Sequence, residues 1–180
     1  MIFALSKIEN TMEDVTIIER CLLKSETVQI DPILKTFDPQ EHFYNGPVRY
    51  WFTSDFERHL LKPIQMPFSD TCISRIFLDK HFVKRGIYHH QIIENIIPRF
   101  FSEREILWLI ANLTSKQPSG EPGQLDVSGN VNFIGYWETP TGLGKVACVS
   151  WREKKWCCHL EALCWCARGD IVFLPHKNQA

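Results

Sequence analysis

KVACVSW (residues 145–151) and WCCHLEAL (residues 156–163), separated by the polar residues REKK, are the segments from which the fold of this chain is predicted. Both are rich in β-branched, aromatic and other apolar residues, which favour strands. A short polar connection between two such segments is typical of a β-hairpin. Because side chains alternate between the faces of a strand, we expect Cys158 and Leu160 to face a core and His159 to be partly exposed.

The segments on either side of this hairpin extend the prediction to the whole chain. VNFIGYWE (131–138) and DIVFL (170–174) are also rich in β-branched and aromatic residues, which predicts two further strands. Residues 131–180 are therefore expected to form a small antiparallel β-sheet lobe, a meander. The stretch 116–130, with two prolines and three glycines, is predicted to be a loop or linker. Residues 1–115 are expected to form a mainly helical lobe. The predicted fold is therefore α+β, an N-terminal helical lobe followed by a small antiparallel sheet, within one compact domain.

Helix predictions in the N-terminal lobe rest on apolar spacing and on capping residues. The best supported helix follows Ser102, because Ser102 and Glu105 form an S-x-x-E capping box ahead of an apolar stripe. The other long predicted helices are MEDVTIIERCLLKS (12–25), TCISRIFLDKHFVKR (71–85) and YHHQIIENII (88–97). A short helix is predicted from Asp55 through FERHLL, and a short helical turn follows Pro39.

Composition and charge restrict the class of protein. The chain has 180 residues, 44% of them hydrophobic and 23% charged, and a formal net charge of −1. Such a balance is typical of a globular protein and gives no global basic field that would attract nucleic acid or membrane. The N-terminus lacks the pattern of a signal peptide and no run is long enough to span a membrane, so we expect a cytoplasmic protein without a membrane partner.

The seven cysteines are expected to be reduced thiols, most of them buried. A zinc site built from Cys157 or Cys158 with His159, Cys164 and Cys166 lacks the paired C-x2-C spacing of structural zinc sites. We therefore predict no metal and no other cofactor. A thiol-dependent hydrolase is an alternative, because Cys157 and His159 lie on one strand face and could act as nucleophile and base.

A second alternative, a metal-dependent hydrolase, rests on the predicted helix 88–97. His90 and Glu94 are four residues apart and therefore share a helix face, with Asp79 and His81 nearby in the sequence. No H-E-x-x-H pattern is present. A polar, partly exposed helix face is the simpler interpretation of this pair.

The leading hypothesis concerns aromatic residues interleaved with cations in the β lobe. Exposed tryptophan and arginine are typical anchors of protein contacts. The aromatic residues are more than a small sheet can bury, and they are Tyr136, Trp137, Trp151, Trp156 and Trp165. We therefore expect a small intracellular binding or regulatory protein, of the inhibitor or immunity type, that binds a protein partner and is not an enzyme. Because rings and cations also bind single-stranded nucleic acid, that function is a further alternative. The predicted binding residues are Trp151, Arg152, Lys155, Trp156 and Trp137.

Overall fold

A seven-stranded mixed sheet dominates the fold in the computed structural model of this chain. The structure describes residues 18–32, 36–64, 66–68, 75–96, 100–138, 144–162 and 165–176. The strands are β1 (Leu22–Ile30), β2 (Tyr50–Phe52), β3 (Ile76–Val83), β4 (Ile87–Tyr88), β5 (Asn132–Glu138), β6 (Gly144–Arg152), β7 (Lys155–Ala162), β8 (Trp165–Cys166) and β9 (Ile171–Pro175).

The large sheet has the strand order β1-β3-β9-β5-β6-β7-β2. Its neighbours are antiparallel except for two parallel pairs, β5 with β9 and β2 with β7. β4 and β8 form a separate two-stranded antiparallel sheet. The large sheet therefore joins strands from both ends of the chain, and β1 and β2 are its edges.

This topology shows that the predicted fold class is wrong. An N-terminal helical lobe followed by a small antiparallel sheet is not observed, because β1, β2 and β3, which precede residue 116, belong to the same sheet as the C-terminal strands. The predicted meander is also wrong in one respect, since β9 pairs with β3 and β5 instead of following β7.

Two predicted helices account for most of the error. Within 71–85 the structure has the strand β3, flanked by β1 and β9. Within 12–25 the chain is helical at 18–21 and becomes β1 at Leu22, while residues 12–17 lie outside the described part. Pairing with strands far away in the sequence overrides a local helical pattern, and spacing alone does not report such pairing.

Other local predictions are confirmed. The hairpin of β6 and β7 places Trp151 opposite Trp156, and the predicted strands 131–138 and 170–174 correspond to β5 and β9. Two predicted helices are present as α2 (His89–Ile96) and α3 (Glu103–Ser115), after the shorter α1 (Ser54–Phe56), which continues as a π-helical turn, Glu57–Leu61. A π-helical turn also spans Glu41–Asn45.

The capping box at the start of α3 is present as predicted. The Ser102 hydroxyl accepts a hydrogen bond from the Glu105 amide at 3.3 Å, and the Glu105 carboxylate accepts one from the Ser102 amide at 2.9 Å. Two backbone donors that a helix start leaves unpaired are thereby satisfied.

Both faces of the large sheet are covered, and this decides which side chains are accessible. α1, α3 and the π-helical turns pack against one face and form a core that contains Trp156, Trp137 and Cys158. α2, the helical turn at 18–21 and the β4–β8 sheet pack against the opposite face, where Cys148 and Tyr136 are buried. Residues 116–131, which are neither helix nor strand, pack on the first core through Leu125.

Candidate functional site

Of the predicted binding residues, the structure leaves mainly the cations accessible. Trp156 and Trp137 are 0% and 3% exposed and belong to the core. Trp151 and Lys155 are half-buried, and Arg152 is exposed next to the β6–β7 turn. The five residues therefore do not form one continuous aromatic and basic surface.

The reason is that the sheet is larger than expected and covered on both faces. The Trp156 indole N–H donates to the Gln117 carbonyl at 3.1 Å, so the loop 116–131 closes over this ring. Trp151 packs edge-on against Trp156 with ring centroids 5.1 Å apart, close to the backbone of Gly120. Of the five aromatic residues considered in the predicted β lobe, Trp165 is the one whose side chain is about half exposed.

The His90 and Glu94 pair lies on the exposed side of α2. His90 stacks on Tyr88 with ring centroids 5.4 Å apart. The neighbouring His89 instead points into the protein, where its Nδ1 lies 2.8 Å from the Tyr136 hydroxyl. Sequence analysis did not single out His89, although its spacing of three residues from the buried Ile92 is the signal for an inward position.

The structure does not pair Cys157 with His159. Nε2 of His159 lies 2.9 Å from Oε1 of Glu161, and the thiol that lies across the hairpin from His159 is Cys148. Burial raises the pKa of Cys157, which Lys155 only partly opposes, and burial raises the pKa of Cys158 well above its ordinary value. A raised thiol pKa disfavours the thiolate that a nucleophile requires. Cys164 lies outside the described residues.

An open basic cleft lies where three separate chain segments meet. Its volume is about 850 Å³, and its lining contains four cations and one carboxylate. The lining residues are Glu19, Arg20, Lys84, Arg85 and Arg168.

Backbone hydrogen bonds hold the three segments of this cleft together. The Lys84 amide donates to the Cys21 carbonyl at 2.7 Å, which joins the end of β3 to the segment that carries Arg20. The Gly169 amide donates to the Val83 carbonyl at 2.9 Å, which joins the segment carrying Arg168 to the same strand end. The cations therefore project from a fixed backbone.

Arg168 lies in a turn within the sequence RGD (168–170), in which a glycine is typical of a tight turn. Gly169 has a φ of +100°, a conformation that glycine adopts without a steric penalty. The Asp170 carboxylate accepts hydrogen bonds from the Ala167 amide at 2.7 Å and the Val131 amide at 3.1 Å. Asp170 thus stabilises the turn and does not face the cleft as a second lining carboxylate.

Two exposed aromatic rings lie on the chain segments that supply Arg85 and Arg168 to the basic cleft. Tyr88 and Trp165 are opposite each other in the β4–β8 sheet, with ring centroids 4.7 Å apart and relative exposures of 48% and 49%. Trp165 lies against Gly86, the residue after Arg85. Tyr88 and Trp165 each lie three residues from a cation of the cleft, Arg85 and Arg168 respectively. We call this group of residues the basic–aromatic surface (Arg20, Lys84, Arg85, Arg168, Tyr88 and Trp165).

A second cleft, of about 570 Å³, follows the edge strand β2. Trp51, 49% exposed, and Tyr44, 50% exposed, contribute aromatic surface to it, and Arg49 and Lys155 contribute positive charge. It is the one place where a predicted binding residue, Lys155, lines a described cleft.

Comparison with known proteins gives no further information on function, because the chain matches no family model, curated protein or solved structure. Within the described residues, no helix is both long and apolar enough to cross a membrane.

Proposed function

We propose that this protein acts by binding and that its ligand is single-stranded nucleic acid, bound on the basic–aromatic surface. The observation that carries the proposal is that two exposed rings, Tyr88 and Trp165, lie on the segments that supply Arg85 and Arg168 to a cleft with four cations and one carboxylate. Phosphates bind to clustered lysine and arginine, and unpaired bases stack on exposed aromatic rings.

The local charge supports binding in spite of the net charge of −1. Arginine is well suited to phosphate because its planar guanidinium donates two parallel hydrogen bonds, and three of the four cations in the cleft are arginines. Their backbones are held by the hydrogen bonds of Lys84 and Gly169, so little backbone entropy is lost when a ligand binds.

The chemistry of the surface favours a single strand over a duplex. The bases of a duplex are paired and stacked on one another, so Tyr88 and Trp165 would have no base face to contact. With at most four phosphates neutralised, the dependence of log K on log salt should have a slope of about −3 or shallower.

Fluorescence anisotropy with labelled single-stranded DNA and RNA of about 12 nucleotides tests the proposal, with a duplex of the same sequence for comparison. Arg168→Ala should weaken binding several-fold, and Trp165→Ala should weaken it by about 1–3 kcal/mol. Arg152→Ala is the matched control, since it removes an exposed arginine outside the cleft.

Three results would contradict this function. One is the absence of binding at low salt, and another is equal affinity for the duplex. The third is a loss on Arg152→Ala as large as that on Arg168→Ala, which would mean that any surface cation contributes.

A protein-binding function, of the inhibitor or immunity type, is the second candidate, and the cleft beside β2 favours it. β2 is an edge strand, to which an extended peptide can add by β-augmentation, and Trp51 and Tyr44 offer aromatic contacts next to Arg49 and Lys155. Affinity capture from the source cell should then recover a partner that the Trp51→Ala variant loses and the Trp165→Ala variant keeps. The opposite pattern would assign the partner to the basic–aromatic surface.

A further inference from the structure

We infer that Cys148, His159 and Glu161 form a binding site for a zinc ion. This inference goes beyond the proposed nucleic-acid binding and does not depend on it. It also differs from the zinc site considered on sequence grounds, because that site used other cysteines and did not include Cys148 or Glu161.

Strand register brings the three residues together. Cys148 on β6 is directly opposite His159 on β7, and Glu161 follows two residues later on the same face of β7. One potential ligand atom from each residue lies within 4.8 Å of the other two. Strands in a paired sheet hold such positions more rigidly than a loop does.

The donor atoms select the metal. A thiolate sulfur, an imidazole nitrogen and a carboxylate oxygen are the three ligand types that zinc takes in proteins. Calcium and magnesium prefer oxygen ligands and do not take a thiolate. Three protein ligands leave one tetrahedral position for water or another ligand.

The imidazole and the carboxylate can accommodate a metal ion with a small movement of their side chains. The 2.9 Å separation between His159 Nε2 and Glu161 Oε1 is that of a hydrogen bond. Two ligands at about 2.0–2.1 Å from a tetrahedral zinc would be about 3.4 Å apart. If this nitrogen is the ligand, the ion therefore replaces the shared proton and the two atoms separate by about half an ångström.

The three residues differ in exposure, so an ion from solvent can reach two of them directly. Cys148 is fully buried, whereas the side chains of His159 and Glu161 are 19% and 33% exposed. The ion would thus meet the carboxylate and the imidazole first and the shielded sulfur last. Removal of the thiolate from water makes its bond to a cation stronger.

A second group of polar side chains, centred on His89, lies near Glu161. His89 Nδ1 is 2.8 Å from the Tyr136 hydroxyl, and Cys166 Sγ is 3.3 Å and 3.4 Å from the two His89 nitrogens. Burial lowers the pKa of His89 to about 4 although the negative charge of Glu161 acts in the opposite direction, so His89 is neutral near pH 7. The neutral imidazole of His89 does not repel a cation bound at Glu161, although it lies close enough to interact with the charge there.

The test uses the full chain, purified without chelator, and begins with two measurements on the wild-type protein. Zinc is determined by mass spectrometry, with affinity measured against a competing chelator. Titration with cobalt(II) then tests directly for sulfur ligation through the thiolate-to-metal charge-transfer band. We expect one tightly held ion per chain and this band.

Variants then identify the ligands. Cys148→Ser and His159→Ala should each weaken zinc affinity by more than about 100-fold, and Glu161→Gln should weaken it less. Cys157→Ser is the matched control, because it removes another buried thiol from β7 and should leave zinc affinity and the cobalt spectrum unchanged.

A wild-type protein that takes up no zinc overturns the inference, and this result does not depend on whether any variant folds. Zinc binding without the charge-transfer band also overturns it, because the thiolate of Cys148 would then not be a ligand. Loss of the band in Cys157→Ser but not in Cys148→Ser would assign the metal to a different thiol. Nucleic-acid binding is measured separately, so failure of either proposal can be recognised without the other.

Discussion

The indole of Trp165 occupies the space that a side chain at Gly86 would need. A Cβ atom at Gly86 would lie 1.7 Å from Cζ2 of Trp165, far inside van der Waals contact. Gly86 is not among the residues with positive φ, so close approach and not backbone conformation explains the glycine. The absence of a side chain lets the ring lie against the backbone directly after Arg85, a residue that lines the basic cleft.

Gly86→Ala should therefore act through Trp165. We expect the new methyl group to push the half-exposed ring away and to reduce oligonucleotide affinity about as much as Trp165→Ala does. A double-mutant cycle checks this by anisotropy, because Gly86→Ala should add little in the Trp165→Ala background. Fully additive losses would show that the two residues act independently.

Trp156 should contribute to stability and Arg152 should not. Trp156 is fully buried and its indole donates to the Gln117 carbonyl, so Trp156→Ala is expected to lower the free energy of unfolding by about 3–5 kcal/mol. Arg152 is exposed, and Arg152→Ala should change the free energy of unfolding by less than about 0.5 kcal/mol. Urea denaturation measures both. Similar values for the two variants would contradict the assignment of Trp156 to the core.

Acid should destabilise the protein through His89. Burial lowers the pKa of His89 to about 4, whereas an unfolded histidine titrates near 6.5, so between these values the unfolded chain binds more protons. Stability should accordingly fall as the pH drops from about 6.5 to 4, by at most about 3 kcal/mol from this residue. Burial also lowers the pKa of His42 and His81, which act in the same direction.

The contribution of His89 can be isolated by substitution. Chemical denaturation at several pH values should show a shallower loss for His89→Gln than for the wild type, with His90→Gln as the control because His90 is exposed. Equal slopes for all three proteins would mean that His89 is not held neutral in the folded state.

Residues that favour positive φ values should stabilise the β6–β7 turn. Glu153 and Lys154 have φ values of 49° and 61°, in the left-handed region that costs most L-residues about 1–2 kcal/mol each. Two-residue turns with positive φ at both positions favour Asn-Gly. Glu153→Asn with Lys154→Gly should raise the free energy of unfolding by about 1 kcal/mol, measured by urea denaturation. Lys154→Ala, which keeps the unfavourable φ, should give no gain.

Local patterns predicted some parts of this fold and candidate site correctly. The capping box at Ser102 and the apolar stripe behind it predicted α3, because both depend on residues within a few positions of each other. Alternation and a short polar turn predicted the β6–β7 hairpin, with Cys158 buried and His159 partly exposed. These features need no information about distant segments.

The basic cleft was not predictable in this way, since its residues come from separate segments. Lys84 and Arg85 are adjacent in the sequence and so give a local indication of positive charge. Arg20 and Arg168 join them only through backbone hydrogen bonds at the end of β3. The burial of Trp137 and Trp156 was likewise missed, because a four-strand lobe offers less core than a seven-stranded sheet covered on both faces.

The sequence by itself determined the C-terminal hairpin, the helices α2 and α3 and the turn at Gly169, because hydrogen bonds and sterics within a few residues decide those elements. Tertiary structure alone decided that residues 76–83 form an interior strand of the sheet, between β1 and β9. A strand gains its backbone hydrogen bonds from partners elsewhere in the chain, so its stability depends on contacts that local spacing does not contain. For the same reason, the rings and cations of the basic–aromatic surface become neighbours only when the sheet has formed.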